Sequence, residues 1–250
     1  MLLAEPQPTP ADLHFSLADV PVRVSAWFWA GAALLGWGQC QSLSGGDQRE
    51  LLRLLVAWTA VVFVSILVHE VGHALAWKAF GRPARIVLYH LGGLTTSQNW
   101  GRRNLSAGRQ VAVSAAGPLM QLSLAAAIVI VLRLGGYEAP FPIESVALTL
   151  GLYDGRLIPS PLIETIIEFA LSVNVFWPLL NLLPVPPLDG GQIVREGLVW
   201  VGVPSANRTA LVIGAACGCL VGLWGITSGQ TYLAMLFFML AASCIQGLGR

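Results

Sequence analysis

Six apolar stretches, each close to the length that crosses a bilayer, leave this chain few ways to fold. A helix needs about 20 mostly apolar residues to cross a hydrocarbon core of about 30 Å. The stretches run roughly Val24 to Leu43, Leu54 to Trp77, Gln110 to Leu132, Ile163 to Leu183, Thr209 to Thr227 and Thr231 to Ile245. In lipid every backbone polar group must be bonded within the protein, so runs of this length fold as helices. The expected architecture is therefore an all-α polytopic membrane protein with about six transmembrane helices. The charge content agrees, since 11% of residues are charged against about 25% in soluble domains. A formal net charge of +1 provides no concentrated basic face, which excludes a nucleic-acid partner.

The fifth and sixth stretches are joined by Ser228-Gly229-Gln230, which predicts a tight helical hairpin. The fourth is irregular, with Pro178, Pro184, Pro186 and Pro187 in or just beyond it. Proline removes a backbone donor and clashes with the preceding turn, and broken backbone inside a membrane survives where protein or water satisfies it. The end of the fourth stretch is thus a candidate site. The connection between the second and third stretches carries Lys78, Arg82, Arg85, Arg102, Arg103 and Arg109 without an acidic residue among them. Basic short loops face the cytoplasm, so six spans place both termini there, in a multi-pass protein of the cell's inner or plasma membrane. Within that connection, Ile86 to Thr96 with Gly92-Gly93 reads as a strand, a glycine turn and a return strand. Cys40, Cys217, Cys219 and Cys244 lie in or beside apolar runs and are read as packing residues. The first 21 residues hold Glu5, Asp12 and Asp19 and lack a basic start, unlike a signal peptide. Residues 1–250 are expected to form one domain.

Chemistry enters with His69-Glu70-Val71-Gly72-His73 in the second stretch. Two His at i and i+4 lie on one helix face and can hold one zinc, with the intervening Glu as general base. Ionisable groups in a membrane helix are costly and mark function by default. From the 1.5 Å rise per residue, the pair lies roughly 8 to 14 Å from Lys78, inside the hydrocarbon layer. Catalytic zinc normally takes three protein ligands and keeps a fourth position open. Candidates for the third are His90, Glu164, Glu168 and Asp189. Glu164 and Glu168 enter the fourth stretch from its outer end, whereas Asp189 follows that stretch at a matching depth.

These residues resemble the site-2 proteases, a family of intramembrane zinc metalloproteases. The resemblance rests on His69-Glu70-Val71-Gly72-His73 and on Asn181 to Gly191, which reads N-x-x-P-x-x-P-L-D-G-G. The Gly92-Gly93 pair and Ala116-Gly117-Pro118 support it, over a core of about residues 54–195. It implies one zinc per chain on His69, His73 and Asp189, with Glu70 activating water and Asn181 holding substrate or its developing oxyanion. It implies as substrate a transmembrane helix of another protein, partly unwound before hydrolysis. Partners are then that substrate, the bilayer and either further copies or a regulatory membrane protein. The PDZ or CBS domain carried by many members is not expected, and Gln121 stands where an Asn would follow the Gly-Pro pair. A helix–helix hydrogen bond is the expected use of Gln121. The rival readings are a catalytically inactive metal-binding membrane scaffold and a zinc or proton transporter; transporters show paired broken helices, and a single proline-broken segment is found here.

Overall fold

A computed structural model describes residues 7–90, 92–97 and 105–249. Arg102 and Arg103 of the basic connection, and Glu5 near the start, lie outside the described residues. The chain divides into two compact units, Met1–Trp100 with Leu119–Pro178, and Gly101–Pro118 with Leu179–Arg250.

The first unit opens with an antiparallel hairpin, β1 (Leu13–Leu17) and β2 (Val20–Val24), turned by Ala18 and Asp19 at positive φ. Helix α1 (Ala26–Leu43) leads through Gly45-Gly46 into α2 (Gln48–Ala79), after which come β3 (Ala84–Tyr89) and β4 (Gly92–Ser97). The four strands form one sheet in the order β1-β2-β3-β4, with β2 parallel to β3 and the other pairs antiparallel. The return strand expected from sequence is thus present as β4, and the N-terminal hairpin extends the sheet on the other side. Asp12 ties this hairpin to α1. Its carboxylate accepts from the Thr9 hydroxyl and main chain and from the Ala26 N–H, and it lies 3.8 Å from Arg23 Nε. The Thr9 hydroxyl above all holds this carboxyl below its usual pKa. Lys78, at the end of α2, donates to the Ala18 carbonyl at 2.7 Å.

Helix α1 leaves the sheet where α2 ends and finishes where α2 begins, so the two are antiparallel neighbours. The Trp58 indole of α2 lies directly on Gly36, where an added Cβ would overlap the ring, and its Nε1–H donates to the Ala32 carbonyl at 2.9 Å. Around this contact Phe28, Leu54, Val62 and Ile66 form a buried core, which Val22, Val24, Ile86 and Leu88 of the sheet join.

Among the described residues, five helices are long and apolar enough to cross a membrane: α2, α3 (Ala107–Leu134), α5 (Pro161–Asn181), α7 (Ala206–Thr227) and α8 (Thr231–Leu248). These match the second to sixth stretches expected. The first stretch differs: Val24 belongs to β2, and α1 has the length of a span without that apolarity. Gln39, Gln41 and three glycines interrupt its apolar residues. Before α5 lies the short α4 (Glu144–Thr149), which buries Ala147 beside Ala139 and Leu152. The unit boundaries fall at Pro118 and Pro178, inside α3 and α5.

In the second unit α7 and α8 form the expected hairpin. Ala210, Gly214, Gly218, Gly222 and Gly225 line the buried stripe of α7, letting Ala241, Phe238 and Ala234 of α8 approach at 3.0, 2.8 and 3.0 Å from where a Cβ would stand. Small residues are how membrane helices gain close packing in the absence of a hydrophobic drive. Near the start of the stripe, Gly214 faces Pro186 Cδ, and the Cys244 thiol donates to the Pro186 carbonyl at 3.5 Å. The hairpin therefore supports the proline-rich loop. All four cysteines are free thiols.

Candidate metal centre

His69, Glu70 and His73 lie on one turn in the interior of α2, and all three are buried. The four-residue spacing brings the two imidazoles together, with ring centroids 4.8 Å apart and Nε2 atoms 3.1 Å apart. His69 Nδ1 lies 3.0 Å from Gln121 Oε1, on α3, while Gln121 Nε2 donates to the Val173 carbonyl of α5 at 3.4 Å. Because the amide nitrogen is committed to a carbonyl, the amide oxygen faces His69. The His69 proton then resides on Nδ1, and a neutral ring leaves Nε2 as a lone-pair donor. Two imidazole nitrogens on a tetrahedral zinc at about 2.05 Å stand ~3.3 Å apart. The observed separation and tautomer therefore fit a shared metal ion.

Glu70 is one residue on from His69 and so turns towards the sheet instead. An added Cβ at Gly93 of β4 would overlap Cγ, Cδ and Oε1 of Glu70. Thr95, two residues further on the same face of β4, donates its hydroxyl to Glu70 Oε2 at 2.7 Å. Gly92, at φ +124°, lies under Trp177, whose ring would stand 3.0 Å from a Cβ there. The edge strand of the sheet is thereby fixed against the carboxylate. Burial first, and then the Glu70 charge, hold the Tyr89 hydroxyl above its usual pKa.

One turn before His69, Ser65 accepts from Asn174 Nδ2 at 2.8 Å, joining α2 to α5. Further back, Trp58 meets Phe169 edge-on at 5.1 Å. The two pairs show that α5 runs parallel to α2. Glu164 and Glu168 precede Phe169, so they lie beside the early turns of α2, on the order of 15 Å from His69 by helix rise. That distance removes both as ligands. His90 is exposed on the β3–β4 turn, its backbone against Gly31 of α1.

In the second unit, Asn181 closes α5 and Asp189 opens α6 (Asp189–Trp200). Asp189 thus belongs to the first turn of a helix, where a carboxylate is favoured by the helix dipole. The intervening loop is tightly turned, with Val185 N–H donating to the Leu183 carbonyl at 2.7 Å and Leu188 N–H to Val185 at 2.9 Å. A Cβ at Gly190 would overlap the Leu182 carbonyl, and one at Gly191 would overlap the Val185–Pro186 backbone. Backbone cannot give way as a side-chain end can, so both positions require glycine for α6 to start here.

Sequence reasoning points to the histidine pair and to Glu70 but misses Thr95 and Tyr89, and it reads Gln121 without its partner. The period-two spacing of Gly93 and Thr95 is the available signal for the threonine. For Gln121 it is an amide inside an apolar run.

The family model described as Peptidase family M50 matches residues 57–222. A Synechocystis protein provisionally named a zinc metalloprotease is 30% identical over 204 residues, which cover 79% of this chain and 46% of that protein. A Mycobacterium tuberculosis protein, also provisionally named a zinc metalloprotease, is 29% identical over 213 residues, 80% of this chain and 48% of its own. This chain therefore spans about half the length of the curated relatives it matches. A solved structure titled as the site-2 protease from Methanocaldococcus jannaschii aligns over 95% of both chains with a TM-score of 0.55 at 20% identity, a likeness of fold.

Proposed function

We propose, from the premise that this chain belongs to peptidase family M50, that it hydrolyses peptide bonds in or beside the transmembrane segments of other membrane proteins. The observation that carries this reading is the buried His69-Glu70-His73 turn of a membrane-length helix, with the edge strand of a sheet fastened to its carboxylate. Zinc would be held by His69, His73 and Asp189, which as donors are a set that could hold one metal ion. When bound, zinc supplies Lewis acidity, polarising the scissile carbonyl and acidifying a water. Glu70 takes the water's proton and returns it to the leaving amine. Thr95 keeps that carboxylate in one orientation through its hydrogen bond. Asn181 steadies the substrate or the developing oxyanion, as the resemblance implies.

A peptide bond inside a helix has its carbonyl engaged, so the substrate must be extended before it can react. The outer side of β4, ending the sheet beside Glu70, is the surface along which an extended segment pairs. In a proline scan of β4, main-chain groups that point outward alternate with those bonded to β3. Cleavage should therefore fall with a period of two among the variants that retain zinc. Unchanged cleavage throughout removes the pairing.

The basic connection after α2 faces the cytoplasm, and α1, less apolar than the five candidate spans but packed antiparallel against α2, makes a sixth crossing of about 27 Å, which leaves both termini cytoplasmic. The chain acts as one catalytic domain, with further copies or a regulatory membrane protein as its partners.

The test is reconstitution in vesicles with single-pass membrane proteins from the same membrane. Mass spectrometry should find cuts in or within about a turn or two of the span, abolished by chelation and restored by zinc. Cuts confined to soluble regions, or cleavage indifferent to chelation, would overturn the reading.

A further inference from the structure

We propose that Gln121 is the positioning residue that fixes His69 as a zinc ligand, an inference that rests on the metal reading above. Its amide is fully buried, so both ends must find partners inside the protein. The oxygen meets His69 Nδ1 at 3.0 Å, and the nitrogen meets the Val173 carbonyl at 3.4 Å. These two contacts leave one orientation of the amide and one tautomer of the imidazole. With the oxygen as acceptor the ring proton sits on Nδ1, and the unprotonated Nε2, 3.1 Å from His73 Nε2, is the atom that can ligate. If the amide were reversed, its N–H₂ would face a ring N–H or demand the other tautomer, in which Nε2 carries the proton and cannot ligate.

Partners of this kind set ring orientation and raise ligand basicity, and losing one typically costs 10–100-fold in metal affinity. Side-chain length matters here. Gln121 spans from α2 to α5 starting on α3, and an asparagine, one methylene shorter, could satisfy one partner but not both. The residue therefore does not act on the substrate. Its amide oxygen meets a ligand and its amide nitrogen the backbone of the neighbouring helix α5.

The test measures zinc affinity by chelator competition for the purified full chain as wild type, Gln121→Leu, Gln121→Asn, Gln121→Glu and His69→Ala, with the visible spectrum of the cobalt-substituted forms as a second readout. Gln121→Leu should weaken zinc binding by about 10–100-fold and perturb the cobalt spectrum. Gln121→Asn should do the same to a smaller extent, and it serves if the leucine variant does not fold. Gln121→Glu keeps an acceptor for the Nδ1 proton and should bind zinc within a few-fold of wild type with the cobalt spectrum retained. The proposal is overturned if the leucine and asparagine variants bind zinc as tightly as wild type. It is equally overturned if glutamate weakens binding as much as leucine, the result expected of a residue that only packs helices. If wild type takes up one zinc that His69→Ala loses, a negative result counts against Gln121 alone. If wild type takes up none, the metal reading fails and this proposal with it.

Discussion

Replacing Glu70 by Gln should lower the rate of peptide hydrolysis by about 10²–10⁴-fold, the usual contribution of a positioned general base, while the zinc content stays at one per chain. The amide has nearly the shape of the carboxylate and can still accept from the Thr95 hydroxyl, which now holds Glu70 Oε2 at 2.7 Å. What it loses is the capacity to take and return a proton. His69 and His73 turn towards each other, so the proposed metal donors are untouched by the change. Paired measurements of zinc by elemental analysis and of cleavage in vesicles test this. In whole membranes, the transmembrane proteins that accumulate uncut in the variant are candidate substrates. Full activity in the Glu70→Gln variant would remove Glu70 from the chemistry, and loss of zinc together with activity would make it a structural residue of the metal centre.

Gly93→Ala should be nearly as damaging, although the residue has no side chain and takes no part in proton transfer. The new methyl group would overlap Cγ, Cδ and Oε1 of Glu70. Strand β4 cannot retreat, because it is paired with β3 along its whole length from Gly92 to Ser97. The glutamate is the mobile partner. Turning its side chain off its rotamer costs about 0.5–1.5 kcal/mol, so the protein should fold with only a small loss of thermal stability. The displaced carboxylate, however, is the proposed general base, and a misplacement of about 1 Å can cost 10²-fold in rate. The expected pattern is near-normal zinc content, a melting temperature within a few degrees of wild type and cleavage reduced by about 100-fold. Wild-type cleavage by the alanine variant would show that the strand does not set the position of the base.

The reach of sequence reasoning is clearest at these two residues. Glu70 is conspicuous as a charge flanked by two His inside an apolar run, where lipid makes every ionisable group expensive. Gly93 is legible as a turn former, but its contact with Glu70 depends on how β4 folds back over α2, and no periodicity encodes that. The N-terminal hairpin escapes notice for a related reason. Its turn uses Ala18 and Asp19 at positive φ, without the Asn-Gly or Gly pair that advertises such a turn, and β1 is exposed along its length. Helix α1 reads as an apolar span because its length is right, whereas Gly36 and Gly31 serve close contacts with Trp58 and His90. Helix α6 is hidden by the prolines and glycines before it, which argue for unwound backbone until the tight loop is seen.

The parallel pairing of β2 with β3 dictates the order in which the proposed site can be assembled. The β1–β2 hairpin can close as soon as it is made, but its second edge has to wait for roughly 60 further residues, several seconds at about 5–20 residues per second. Strand β4, which carries the partners of Glu70, follows later still. Until then Glu70 lacks the Thr95 hydroxyl that holds its carboxylate in one orientation. On the proposed function, hydrolytic competence would arrive only once β4 has docked beside α2 and met Glu70.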